Sequence, residues 1–103
     1  MFKIIFYVPE EHLEAVKEAM FLAGAGHIGN YACCAWQVLG EGQFMPLEGS
    51  RAFIGEIDKI EKIPEYRVEM VCDIKYIVPV IAALKKSHPY ETPAYQVLRI
   101  EEY

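Results

Sequence analysis

Two stretches of the chain gather side chains able to bind a ligand or move a proton. The first is Gly24-Ala25-Gly26-His27-Ile28-Gly29-Asn30-Tyr31, which sets an imidazole, an amide and a phenol among three glycines. Three glycines in six residues resemble a phosphate-cradling loop in composition, but the spacing fits neither common kind. No Lys-Ser/Thr pair follows, as a P-loop requires, and the run sits after a helical pattern and before a strand-like one, the reverse of the dinucleotide order. Two readings stand: a helix-to-strand turn in which glycine supplies positive φ, or a loop that lets a ligand approach the backbone. The second stretch is Ser87-His88-Pro89-Tyr90-Glu91-Thr92-Pro93. Its prolines hold it extended and so fix where His88, Tyr90 and Glu91 point. Two readings stand here as well. His88 can satisfy the last carbonyls of a helix while Tyr90 joins a core, or the rigid segment can form one wall of a binding site.

The side chains suited to a metal are His12, His27, His88, Cys33, Cys34 and Cys72. None forms a C-x-x-C, H-x-x-x-H or H-E-x-x-H pair, so no structural zinc site follows from spacing. A site assembled across the fold from His27, Cys33 or Cys34, and His88 needs both loops at one end of a sheet; a divalent metal ion is the cofactor such a set would take. The other fate of these cysteines is that of buried, inert thiols. No local feature lowers a thiol's pKa, and there is no G-x-S-x-G, no carboxylate pair in an apolar setting and no cofactor fingerprint. No catalytic residue is assigned.

The elements that must position these groups follow from periodicity. Phe2 to Val8 is an almost unbroken apolar run, as expected of a strand buried on both faces. Pro9 opens a helix with Glu10 and Glu11 at its positive end; Leu13, Val16, Met20 and Ala23 mark its buried side, and Gly24 stops it. A second strand is expected over residues 31–39. Gly40, Gly42, Pro46, Gly49 and Gly55 are too dense for regular structure, yet Phe44, Met45, Leu47, Phe53 and Ile54 are not loop-like, which predicts a hairpin-like, folded-back excursion. Residues 56–71 alternate as a long strand with a break near Pro64. Asp73 caps a second helix that either kinks at Pro79 or starts a turn later with Pro79 near its beginning; Ile77, Val80 or Ile81, and Leu84 face inward. A last strand covers 94–100. The order strand, helix, two strands, helix, strand predicts an α+β, ferredoxin-like βαββαβ sandwich: an antiparallel sheet with both helices on one face.

The 103 residues fit one domain, 1–103, with 53% hydrophobic residues, a share high enough that another copy of the chain is expected to cover part of it. The net charge is −5 and the basic residues are scattered, the densest pair being Lys85-Lys86, which argues against a nucleic-acid partner. No apolar stretch nears the roughly 20 residues of a membrane-spanning helix. Without a leader-like opening, and with an odd count of three cysteines, reduced thiols and a cytoplasmic location are expected.

Four separated motifs carry a resemblance. They are Gly24-Ala-Gly-His-Ile-Gly-Asn-Tyr31 with Cys34 and Trp36 behind it; Gly40-Glu-Gly-Gln-Phe-Met-Pro-Leu-Glu-Gly49 followed by Phe53-Ile-Gly55; Arg67 with Glu69; and His88-Pro-Tyr-Glu91 with Pro93-Ala-Tyr95. In this order, and over essentially the whole chain, they resemble the small domain inserted in YqfO-type proteins of the NGG-interacting-factor-three-like (NIF3-like) family. That resemblance implies a fold like PII and CutA, which form trimers through their sheets. It also implies that the two-metal centre and cyclohydrolase-like activity of full-length relatives reside on a larger domain not represented here. Cys33 stands where the family often has His, Ala52 where Pro is common, and Pro79 interrupts the second helix. The expected function is a non-enzymatic, oligomeric binding or regulatory module, a trimer by preference, holding a divalent metal or small polar ligand. The expected ligand-binding residues are His27, Asn30, Tyr31, Glu48, Arg67, Glu69, Tyr90 and Glu91; the expected metal ligands are His27, Cys34 and His88. The alternative is a protein-interaction domain that meets a separately encoded partner through Phe44-Met45-Pro46-Leu47, with a small metal-dependent hydrolase ranked last.

Overall fold

Strand β1, Phe2–Val8, lies at the centre of the sheet with a strand on each side; Ile4, Phe6 and Val8 are buried on one face and only Ile5 on the other, so the expected burial on both faces holds fully for one of them. In the computed structural model, which describes residues 1–103, it pairs antiparallel with β3 (Glu61–Cys72) and with β4 (Tyr95–Arg99). Strand β2 (Trp36–Phe44) pairs antiparallel with β3, which completes a four-stranded sheet of order β2-β3-β1-β4. Helix α1 (Glu10–Ala23) and helix α2 (Ile77–Ser87) lie together on one face. This is the expected ferredoxin-like arrangement.

The core forms between that face and the helices. Side chains alternate along a strand, so Ile4, Phe6 and Val8 of β1 share a face with their partners Met70, Val68 and Tyr66 on β3. Leu13, Val16 and Met20 of α1 and Val80 and Leu84 of α2 close over them, all at helical spacing. Phe6, Ile4, Met20, Leu84 and Val68 are wholly buried, each contributing about 1.5–3 kcal/mol relative to exposure. Helix α1 begins after Pro9 with Glu10 and Glu11 in its first turn. It ends at Gly24, whose φ of 122° suits glycine and whose N–H donates to the carbonyls of Met20 and Phe21.

Three boundaries differ from the sequence-based expectation. Strand β2 starts at Trp36, five residues later than expected, and runs on through Gly40 and Gly42 to Phe44. Residues 28–31 close instead as a tight turn, with Ile28 and Tyr31 exchanging both backbone hydrogen bonds at 2.9 Å. The glycines of β2 are compatible with a strand because Gly42 faces the side chain of Glu65: a methyl group there would collide with the Glu65 carboxylate. The excursion is thus shifted along the chain rather than shortened, and β3 begins at Glu61, five residues later than the expected 56. Strands β2 and β3 are the arms of one long hairpin, and residues 45–60 are its loop, closed by the Asp58 N–H donating to the Pro46 carbonyl at 2.7 Å.

Strand β3 passes through Pro64 without a break. The register with β1 stops at Val8–Tyr66, so Pro64 is paired only on its β2 side, the edge-like setting in which proline is tolerated. At α2 the Asp73 carboxylate accepts from the Lys75 N–H, capping a single 3-10 turn, Ile74–Tyr76, and the helix proper starts at Ile77. Pro79 therefore falls in its first turn, where N–H groups lack helical partners, and no kink is needed.

Candidate functional site

The Ser87–Pro93 segment crosses the end of the sheet where β1 stops. His88 holds it there. Its imidazole is buried, only 6% exposed, and both ring nitrogens are engaged: Nε2 lies 2.6 Å from the Tyr7 carbonyl, and Nδ1 accepts from the Tyr90 N–H at 3.1 Å. An acceptor role for Nδ1 makes the ring neutral with its proton on Nε2, donated to Tyr7. Burial pushes the imidazole below its usual range, which favours that neutral form. The His88 backbone N–H also donates to the Leu84 carbonyl and closes the end of α2.

His88 thereby places Tyr90. The two rings meet edge to face with centroids 4.8 Å apart, and the Tyr90 hydroxyl donates to Glu65 Oε2 at 2.8 Å. Burial, reinforced by the Glu65 carboxylate, pushes the Tyr90 phenol well up, so it stays a donor. Tyr90 is one wall of a cleft of about 720 Å³, the opposite walls being the end of the β2–β3 hairpin and its loop. Phe44 and Phe53 stand with their ring centroids 6.2 and 6.4 Å from that of Tyr90. Phe53 also meets His12 of α1 edge to face at 5.6 Å, which pins the loop to the body of the fold. Glu91 lines the cleft, and its Oε2 accepts from the Arg51 N–H at 2.9 Å, tying the segment to the loop a second time.

The glycine turn is elsewhere. The Gly26 N–H donates to the Val71 carbonyl at 2.8 Å, whereas Tyr90 meets β3 at Glu65, six positions away. At about 3.3 Å per residue the two motifs are roughly 20 Å apart, at opposite ends of the sheet. The expectation that both loops share one end is corrected: the right-handed return of each β-α unit leaves the α1–β2 turn at the start of β1 and the α2–β4 segment at its finish. His27, Asn30 and Tyr31 are exposed there, with Cys34 half-buried behind them and its N–H donating to the Gly26 carbonyl. No three His, Cys, Asp or Glu side chains stand together as a metal-holding group. His27, Cys34 and His88 do not fit a metal within one chain, and the nitrogens of His88 are already committed.

Arg67 and Glu69 occupy a third place, the sheet face away from the helices. Lys3 and Arg67 both pair with Glu69, and the hydrogen bond from Lys3, helped by both charges, holds its carboxyl below the usual carboxylate range. Trp36 stands directly across from Glu69, and Val38 across from Arg67. No element covers this face: Trp36, Val38 and Leu98 are exposed apolar side chains on it. Glu48 lies exposed in the hairpin loop beside Leu47, outside the cleft lining.

The expected set is therefore distributed over four locations, with Tyr90 and Glu91 in the cleft and His88 behind it. Sequence reasoning missed Glu65, Phe44 and Phe53 as members of the same site. The available signal was Gly42, since a glycine inside a strand marks a close approach, and here the approaching group is Glu65.

No protein-family model matches the chain. A curated relative from Mycobacterium leprae, named GTP cyclohydrolase 1 type 2 homolog, is 46% identical over 98 residues, which are 95% of this chain and 26% of the relative. A solved Bacillus cereus protein described as related to NIF3 superposes with a TM-score of 0.85 at 37% identity, over 98% of this chain and 26% of that one. The periplasmic divalent cation tolerance protein CutA from Archaeoglobus fulgidus superposes with a TM-score of 0.69 at 21% identity, over 100% of this chain and 87% of that one. The chain spans about a quarter of the length of the Mycobacterium leprae and Bacillus cereus relatives.

Proposed function

We propose that this chain, a small NIF3-like domain with a CutA/PII-like fold, is a non-enzymatic binding and regulatory module that takes a small polar ligand in the Tyr90 cleft. The observation that carries this reading is that the cleft is preformed. Its Tyr90 wall is held by His88 and Glu65, its Glu91 wall by Arg51, and its Phe53 wall by His12, all from within one chain. Sites of this kind, with apolar walls and a few fixed polar groups, are the usual form of small-molecule pockets.

The module assembles as a homo-oligomer, a trimer, through the uncovered sheet face. Trp36, 58% exposed, with Val38 on β2 and Leu98 on the opposite edge strand supports this, because exposed apolar side chains flanking a paired charge cluster on a face with no layer over it are what association buries. Arg67 and Glu69 then act as polar contacts at that interface. His27, Asn30 and Tyr31 reach a ligand only from a neighbouring copy, since their own cleft is at the far end of the sheet. A metal held by His27, Cys34 and His88 has no support from the geometry, and the hydrolase reading falls behind with it.

The protein-interaction alternative keeps one favourable observation: Met45 and Leu47 are exposed on the hairpin loop. Native mass spectrometry of untagged protein separates the readings. A trimer carrying one small molecule per subunit supports the module. A bare monomer that takes up neither a metabolite-sized ligand nor added zinc or copper overturns it and favours the interaction domain.

A further inference from the structure

The cleft has a chemical character that narrows its ligand. Resting on the site proposed above, we infer that the ligand is a small molecule carrying a cationic nitrogen, an ammonium or guanidinium group, on an apolar or aromatic body. Three observations converge. First, Phe44, Phe53 and Tyr90 line the cleft together, and the faces of such rings attract cations through their quadrupoles. Second, the charged residues that line the cleft are all acidic: Glu41, Glu65 and Glu91, with no Lys, Arg or His among them. Arg51 meets Glu91 through its backbone N–H and lines the adjoining hollow. Third, two acceptor groups in the lining have capacity to spare. Glu65 uses Oε2 for the Tyr90 hydroxyl, and Gly42 leaves room for Oε1, which takes no hydrogen bond from the chain. The Ser50 hydroxyl is buried with no partner, a group that a donor entering the cleft would satisfy.

The same features disfavour an anion. A nucleotide triphosphate needs basic side chains, a helix N-terminus or a nest of backbone N–H groups, and this cleft would set it against carboxylates. The curated relatives carry a name that refers to GTP, but that name belongs to proteins of which this chain spans 26%. The cleft on this chain selects the opposite charge.

The test uses four probes of similar or known shape: tryptamine, the neutral tryptophol, the anionic indole-3-propionate, and GTP. Each is titrated into the full chain at low salt while the backbone amide signals of Ser50, Phe53 and Tyr90 are followed by NMR. Tryptamine is expected to saturate these signals at least tenfold more tightly than tryptophol, with no saturable shift from the two anions. The double substitution Glu65→Gln, Glu91→Gln, which removes both charges and keeps an acceptor at each position, should reduce the ratio of tryptamine to tryptophol affinity at least fivefold, and the dispersion of the variant's backbone amide spectrum checks separately that it folds. Equal binding of amine and alcohol, or tighter binding of either anion, overturns the cationic inference while leaving the cleft a ligand site. Saturable binding by none of the four overturns both.

Discussion

The two halves of the molecule use similar apolar residues in opposite ways. In the helix-covered half, Ile4, Phe6, Val16, Met20, Val68 and Leu84 are sealed from solvent, and every one comes from a regular element with its side chain directed by strand or helix period. In the hairpin half, Trp36, Leu39, Met45, Leu47 and Phe53 are each about half exposed, although they are just as apolar. The first half gains stability from its own chain. The second is held by the β2–β3 ladder and by the polar and aromatic contacts of His88, Tyr90, Glu91 and Phe53, and leaves its apolar surface uncovered. The contrast shows why a high hydrophobic content in a small chain is evidence about binding as much as about the core.

Phe6→Ala should give the largest effect, since it empties the middle of the core: a loss of about 3–5 kcal/mol in denaturant unfolding, enough to unfold a marginal domain. A loss under 1 kcal/mol would mean the helix-covered half is less decisive than its burial implies. His88→Ala comes next, at about 2–3 kcal/mol, because it strands the Tyr7 carbonyl and the Tyr90 N–H together. The histidine also sets a pH dependence. Its folded form favours the neutral ring, so the unfolded chain binds the extra proton first; the stability it contributes is complete above the ordinary value of 6.5 and is lost as pH falls from there through the lower folded value. The slope between pH 7 and pH 5 should flatten in His88→Ala, and an unchanged slope would remove the histidine from the account.

Tyr90→Phe should cost less, about 1–2 kcal/mol, through loss of the hydrogen bond to Glu65, while the ring contacts with His88 and Phe44 persist. A cost equal to that of His88→Ala would show that the hydroxyl and not the ring holds the wall. The smallest stability effect belongs to Trp36→Lys, within about 0.5 kcal/mol for the isolated chain, because the side chain packs on no covering layer and the new charge stands opposite Glu69. Light scattering should nevertheless show the proposed trimer abolished. An oligomer that survives the substitution would place the interface away from the β2 end of the sheet.

The division between what was legible and what was not follows the range of the interactions. The β1 run and the α1 stripe with its Pro9 start and Gly24 stop are short-range patterns that appeared where expected, while the alternation of β3 was legible but its start at Glu61 and its unbroken passage through Pro64 were not. Nor was the start of β2: Tyr31 has a strand-like composition, but two local backbone hydrogen bonds with Ile28 take it into a turn, and the ladder with β3 decides that Trp36 comes first. The role of His88 was left open between a helix end and a ligand, and the tertiary structure assigns it both the Leu84 carbonyl and two partners from distant or adjoining backbone, making it a positioning residue.

By itself the sequence determined the ferredoxin-like order of elements, because periodicities of two and 3.6 residues, prolines and glycines act within a few residues of chain. It also determined that Tyr90 and Glu91 would be rigidly presented, through the prolines on either side of them. Only the tertiary structure decided what they meet. Glu65, Phe44 and Phe53 lie 25 to 46 positions away along the chain and reach Tyr90 through strand register and a folded loop, for which the only local signal was the glycine at position 42. The same register carried His27 to the far end of the sheet, because a strand's length separates loops that follow its two ends, however alike their residues are.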